Sequence, residues 1–162
     1  MNVNYLSVRT NKQLKILGNQ DEKPSSASTA NRRAVQYTFT EDGDIISISM
    51  YHTAVAGRLL YAIYSDVAGV ATTLLGVTDI TDSIVAAGFQ TVNLLTPVSV
   101  VNGQTIWIAF VYENTTGFKY EAVAPTRVTT TAVFADGMPT SFGAGTYANG
   151  QYSIYCTYWA NA

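Results

Sequence analysis

The sequence predicts an all-β domain, an antiparallel sandwich of two sheets built from about nine strands, and three observations predict it. Apolar residues alternate with a period of two along nearly the whole chain, the short apolar runs are filled by β-branched and aromatic side chains, and the breaks between runs carry turn residues. No segment shows the 3.6-residue periodicity of an amphipathic helix. A chain of 162 residues is long enough for one real core.

Strands are expected near Ala34–Thr40, Asp44–His52, Arg58–Ser65, Thr73–Val77, Phe89–Leu95, Thr105–Glu113, Phe118–Ala122, Arg127–Phe134 and Gln151–Trp159. The expected turns are Glu41-Asp42-Gly43, Ala56-Gly57, Val101-Asn102-Gly103, Thr116-Gly117 and Asp136-Gly137, where Gly or Asn can supply positive φ. Alternation sorts the faces. In Thr105–Glu113 the set Ile106, Ile108, Phe110, Tyr112 alternates with Thr105, Trp107, Ala109, Val111, so both faces are apolar and the strand is central. Arg58–Ser65 reads the same way, with Leu60, Ala62 and Tyr64 opposing Leu59, Tyr61 and Ile63. Asp44–His52 has one clear core face, assigned to Ile46, Ile48 and Met50, with Tyr51 and His52 ending on opposite faces.

Residues 1–31 read as a separate N-terminal basic arm and linker, and residues 32–162 as the sandwich. The arm is expected to hold an accessory hairpin, Val3–Val8 and Gln13–Leu17, turning at Thr10-Asn11-Lys12, followed by a flexible polar linker, DEKPSSASTAN. Charge separates the two parts. Residues 1–33 hold six basic side chains, Arg9, Lys12, Lys15, Lys23, Arg32 and Arg33, against two acids, a net charge of +4. The other residues hold three basic and nine acidic side chains, a net charge of −6. A basic arm on an acidic body can dock on that body or on a neighbouring copy, and Arg9, Lys12, Lys15, Arg32 and Arg33 are the candidate assembly contacts.

Only 12% of residues are charged, so much of the polar surface comes from Thr, Ser, Asn, Gln and Tyr. Such a surface suits neutral partners, and the net charge of −2 gives no general support for nucleic-acid binding. No run is apolar enough to span a membrane, and the N-terminus lacks the uninterrupted apolar stretch of a secretory signal. Cys156 is the single cysteine and excludes an intrachain disulfide. Its place in the alternating run QYSIYCTYW marks it as a buried small hydrophobe.

The inventory for catalysis is thin. His52 is the only histidine, which excludes multi-histidine metal sites, and neither a serine elbow nor a Gly-rich phosphate loop is present. Glu113 and Glu121 could flank a cleft as a glycosidase pair does, but two hairpin-end charges with Lys119 as a counter-ion is the favoured reading. The expectation is a protein that is not an enzyme and needs no cofactor. Glu41, Asp42 and Asp44 are candidates for a structural calcium ion, though a tight turn accounts for them better than a loop of EF-hand length. Asn114-Thr115-Thr116 matches the glycosylation pattern, which is common by chance.

The aromatic side chains are the remaining signal, with eleven Tyr and two Trp. Sugar rings stack their C–H faces on Tyr and Trp, and the same side chains anchor protein interfaces. Tyr51, His52, Tyr112, Tyr155 and Trp159 are the candidate ligand-binding residues, each weighed against ordinary core packing.

From Arg33 to Trp159 the order of motifs resembles a β-sandwich module of the carbohydrate-binding or adhesive type found in bacterial secreted and surface proteins. The pieces that carry the resemblance are RRAVQYTFTEDGDIISISMYH, LLYAIYSDVAGVATTLLGVT, FQTVNLLTPVSVVNGQTIWIAFVYENTTGFKY and DGMPTSFGAGTYANGQYSIYCTYW. It implies a jelly-roll-like sandwich and transfers no catalytic residue. The architecture is also similar to decoration or fibre-associated proteins of bacteriophage particles. These resemblances imply a non-enzymatic structural or adhesion module displayed on a multimeric assembly such as a virion. The alternative is a carbohydrate-binding module of a secreted bacterial enzyme or adhesin. The implied partners are copies of the chain, other particle proteins or neutral glycans, and the implied location is a virion or extracellular surface.

Overall fold

Alternating β-branched and aromatic residues give the chain an almost wholly extended backbone, and a computed structural model describes residues 12–161 of it. The strands are β1 (Gln13–Gly18), β2 (Ser25–Thr29), β3 (Asn31–Thr38), β4 (Gly43–His52), β5 (Arg58–Val67), β6 (Val70–Val77), β7 (Thr81–Asp82), β8 (Gly88–Val100), β9 (Thr105–Tyr112), β10 (Thr116–Val133), β11 (Thr146–Tyr152) and β12 (Ile154–Ala160). One 3-10 turn, Phe134–Asp136, follows β10. The pairings between these strands are antiparallel, in the order β1-β12-β4-β10-β3-β9-β5-β6, with β8 beside β4, β2 and β11 beside β10, and β7 beside β5.

The fold is the antiparallel sandwich that the alternation predicts. One layer is β1-β12-β4-β8 and the other runs from β10 through β3, β9 and β5 to β6. Strand β10 joins them: its first residues pair with β2 and meet β4 at Phe118↔His52, and its later residues pair with β3 and β11. Between the layers lies a core of Ile45, Ile48 and Met50 from β4, Ile154, Cys156 and Tyr158 from β12, Leu59, Tyr61 and Ile63 from β5, and Ile106, Ile108, Phe110 and Tyr112 from β9.

Strands β5 and β9 are central, as their two apolar faces require. Their opposite faces build a second core of Leu60, Ala62, Tyr64, Trp107, Ala109 and Val111, joined by Ala34 and Val128. Met138 and Phe142, from the segment after the 3-10 turn, close over it. Its polar edges are matched: Trp107 Nε1 donates to Asp66 at 2.8 Å, and the Tyr64 hydroxyl donates to the Pro139 carbonyl at 2.8 Å.

Several expectations are corrected. The polar segment read as a flexible linker contains β2, paired with Thr116–Tyr120 of β10. Of the accessory hairpin, Val3–Val8 lies outside the described residues, and its second half is β1, which pairs with β12 and is outermost among the described strands of that layer. The core face of β4 uses Ile45 rather than Ile46, because a bulge between Ile45 and Ser47 shifts the register against both neighbours. Thr116-Gly117 is not a turn but the start of β10, facing Thr29 and Ser28. The strands expected on either side of Pro125 are one strand with an irregularity between Glu121 and Thr126, and β11 precedes the C-terminal strand where none was expected. The turn at Val101-Asn102-Gly103 holds, with Gly103 at φ +83°, a conformation open to glycine at little cost.

Candidate functional site

The outward side of the first layer brings together three of the five residues singled out from the sequence. On β12, Tyr155, Thr157 and Trp159 alternate with the buried Ile154, Cys156 and Tyr158, so they share the outer face. Tyr51 reaches that face from the end of β4, past the bulge, and stands opposite Phe89 of β8. Phe89 lies between Tyr51 and Tyr155 in an aromatic row, with ring centroids 5.6 Å and 5.5 Å apart. Phe89 was not singled out beforehand; its pairing opposite Tyr51 depends on the β4–β8 register, which single-strand alternation does not supply. Beside the row, the hydroxyls of Ser49 and Thr91 share a hydrogen bond at 2.6 Å.

At the other end of the face stands Trp159, 38% exposed, opposite Leu14 of β1, while Ile16 of the same strand stands opposite Thr157. Leu14 and Ile16 are 55% and 40% exposed, so β1 presents an uncovered aliphatic row beside the indole. The rim carries a paired charge, Lys12 Nζ to Asp44 Oδ2 at 2.8 Å. Contact with Lys12, then with the Ser99 hydroxyl, holds the Asp44 carboxyl below its ordinary range.

His52 and Tyr112 lie elsewhere. Both are buried on the core side. The His52 ring nitrogens lie 2.9 Å from the Thr53 carbonyl oxygen and 2.9 Å from Gln90 Oε1. Gln90 in turn accepts the Ile84 amide and donates to the Asp82 carbonyl, so the imidazole ties the end of β4 to the segment following β7. The Tyr112 hydroxyl meets that of Tyr61 at 3.0 Å, and burial pushes its pKa well above the ordinary tyrosine value. Cys156 is likewise enclosed, and burial pushes its thiol up to about 12.

The basic candidates divide as well. Arg9 lies outside the described residues. Lys12 and Lys15 bind the chain's own body, Lys15 meeting Glu41 at 2.7 Å. Arg32 is buried, where a surface contact was expected: its guanidinium donates to the carbonyls of Gly137 and Phe142 at 3.0 Å and 2.6 Å and sits 5.1 Å from the Phe142 ring centroid. It pins the segment that covers the second core. Arg33 lines a small cavity with Arg127, Tyr120 and Tyr152.

The acids are dispersed. Glu41 accepts from Lys15 and the Tyr158 hydroxyl, Asp42 from the Asn102 amide, and Asp44 from Lys12 and Ser99. Among the described residues no three His, Cys, Asp or Glu side chains gather as a metal site would require. Glu113 forms a two-pronged ion pair with Arg58, at 2.6 Å and 3.0 Å, which holds its carboxyl below the ordinary range, the opposite of what a general acid needs. Glu121 pairs with Lys23 at 3.3 Å and Lys119 with Glu22 at 3.1 Å, so Lys119 serves neither member of the expected carboxylate pair. Among the described residues no helix is long and apolar enough to cross a membrane.

No protein-family model and no curated protein matches the sequence. Similarity to solved structures is found. One is that of the cysteine protease and lectin-like domains of Cwp84, a surface layer associated protein of Clostridium difficile, with a TM-score of 0.65, 12% identity, and coverage of 91% of this chain and 36% of that one. Another is the structure of infectious bursal disease virus Gx strain, with a TM-score of 0.39, 11% identity, and coverage of 93% of this chain and 33% of that one. This chain therefore spans about a third of the length of each of these chains. What it shares with the Clostridium difficile protein is the β-sandwich fold.

Proposed function

We propose that this chain is a non-enzymatic structural and adhesion module, displayed on the outside of a multimeric assembly such as a virion, that packs on a neighbouring protein subunit through the open face of β1 and β12. The observation that carries this reading is the exposed row of Leu14, Ile16 and Trp159 with a neutralised ion pair at its rim. An apolar centre with a polar rim is the anatomy of a protein interface, and an indole is a frequent anchor there. Aliphatic side chains at the centre favour a protein over a sugar, because they offer sugar hydroxyls no hydrogen bond. The surface layer association of Cwp84 supports a setting outside the cell.

The test is sedimentation of the wild-type protein beside a Leu14→Ser/Ile16→Thr variant, together with electron microscopy of particles from the source. The variant keeps its fold and loses self-association or particle binding. A wild-type protein that stays monomeric at high concentration and is absent from particles overturns the reading.

One observation favours a second reading, a carbohydrate-binding module of a secreted enzyme or adhesin. The row Tyr51, Phe89, Tyr155 places partly exposed rings beside the exposed Thr91 hydroxyl, which the buried Ser49 hydroxyl holds in place, an arrangement suited to stacking of a neutral sugar. A glycan array probed with the wild type and Tyr155→Ala decides it: binding by the monomer that is lost in the variant supports this reading, and no binding removes it.

A further inference from the structure

Strands β2, β3, β10 and β11 form a half-open cavity of about 100 Å³ lined by Ala27, Arg33, Phe118, Tyr120, Arg127 and Tyr152. Its position follows from the ladder. Arg127 is paired with Val35 and Thr129 with Arg33, so the two arginines are diagonal neighbours across β3 and β10. Val35 belongs to the core between the layers, so both arginines lie on that inward-facing side. Diagonal neighbours in a sheet are close enough for long side chains to meet.

Two guanidinium groups that share one cavity repel each other unless something offsets their charge. Among the described residues the ion pairs engage Lys12, Lys15, Lys23, Arg58 and Lys119, and no carboxylate reaches Arg33 or Arg127. The neutral contacts are few. Arg33 lies over the Phe118 ring, 5.2 Å from its centroid, and Arg127 Nε donates to the Asn149 carbonyl at 3.4 Å. Arg33 Nε is shielded from solvent with no hydrogen-bond partner, and so is the hydroxyl of Tyr152, a residue 0% exposed. Unpartnered donors at these depths are uncommon in folded proteins.

A glycine completes the arrangement. A Cβ at Gly150 of β11 would collide with Arg127 Cδ and Nε, so the missing side chain is what admits the arginine stem. The cavity thus combines two cations, a buried hydroxyl and aromatic walls, in a volume of a few water molecules.

We propose that this cavity is a binding site for an oxyanion, a carboxylate, sulfate or phosphate group, either free or at the end of a larger molecule. Guanidinium groups present forked donors that match the paired oxygens of such an anion, and the Tyr152 hydroxyl supplies a further donor. The volume admits the anionic group and leaves any sugar or chain to which it is attached outside the cavity. The site is independent of the outer face of β1 and β12.

The experiment uses the full chain and titrates it with sodium sulfate, phosphate, acetate and glucuronate at constant ionic strength, with sodium chloride as the reference. Calorimetry and thermal unfolding are the readouts. At least one oxyanion binds saturably and raises the melting temperature above the chloride reference. Arg127→Gln weakens that binding about tenfold or more, as loss of a charge-assisted hydrogen bond does. Tyr152→Phe removes only a hydroxyl that has no partner, so it keeps the fold and weakens binding roughly threefold or more. Sulfate or phosphate binding above acetate assigns a tetrahedral anion, and glucuronate binding above acetate assigns an acidic sugar. No stabilisation beyond chloride, the result expected if water alone fills the cavity, overturns the proposal, as do variants that bind as tightly as the wild type.

Discussion

On one side of the sandwich, the outer face of β3, β9 and β5 is covered by the chain itself: Met138 and Phe142 lie over Ala34, Leu60, Ala62, Trp107 and Ala109, and Arg32 holds the covering segment by two carbonyls. On the other side, the outer face of β1, β12 and β4 meets solvent, with Leu14, Ile16 and Trp159 at one end and an aromatic row at the other. The covered face carries a Trp, a Tyr and small apolar residues. The open one alternates its aromatic side chains with Thr91, Asn93 and Thr157. A face that must be buried for the domain to fold is thus distinguished from one whose apolar residues are free for contact. Stability belongs to the first, and the proposed contact with a partner rests on the second.

The sharpest way to break this contrast is to uncover the covered face. Phe142→Ala should cost about 3–5 kcal/mol, the range for removing a buried aromatic side chain, read from the midpoint of urea unfolding. Arg32→Met, which leaves the Gly137 and Phe142 carbonyls unpaired, should cost about 2 kcal/mol or more in the same measurement. On the open face, Leu14→Ser/Ile16→Thr should change stability by about 1 kcal/mol or less, while altering assembly. A large loss of stability there would make the two faces equivalent and remove the contrast.

Acid should give the smallest effect and should act at the β1 edge. Glu41, held by Lys15 and then by Tyr158, and Asp44, held by Lys12 and then by Ser99, have folded-state pKa values below their ordinary ones. Groups of this kind contribute stability above the ordinary carboxylate range, and the contribution is lost as pH falls through the lowered values. Protection from hydrogen exchange at β1, relative to the unstructured rate at the same pH, should therefore fall below about pH 4, before protection in β5 and β9 does. Equal protection of β1 and β9 at that pH would show that the ion pairs do not hold the edge.

Much of this could be read from the chain. Central strands declare themselves when both alternating sets are apolar, and β5 and β9 do. The polar strand β2 does not, because a Ser- and Ala-rich segment has no hydrophobic pattern. Its place is fixed by a backbone ladder to β10 and by the burial of Thr29. The β4 bulge hides for another reason: one extra residue exchanges the faces of Ile45 and Ile46, and only the register against β8 and β12 reveals it. The candidate site was half legible. Tyr51, Tyr155 and Trp159 follow from alternation, whereas Phe89, Leu14 and Ile16 join them across strands. Sequence also could not separate Arg32, which is consumed by carbonyls, from its neighbour Arg33, which faces a cavity.

The pairing of Gln13 with Ala160 sets the order in which this molecule can be made. Strand β1 has its ladder partner in β12, and β2 has its own in β10, so each of these early strands waits for one made much later. Contacts so distant along the chain make folding slow, and they leave strand edges open during synthesis. Closure of the first layer therefore waits until β12 has been made. Where two copies meet, the late-docking β1 is also the strand that one could exchange with the other.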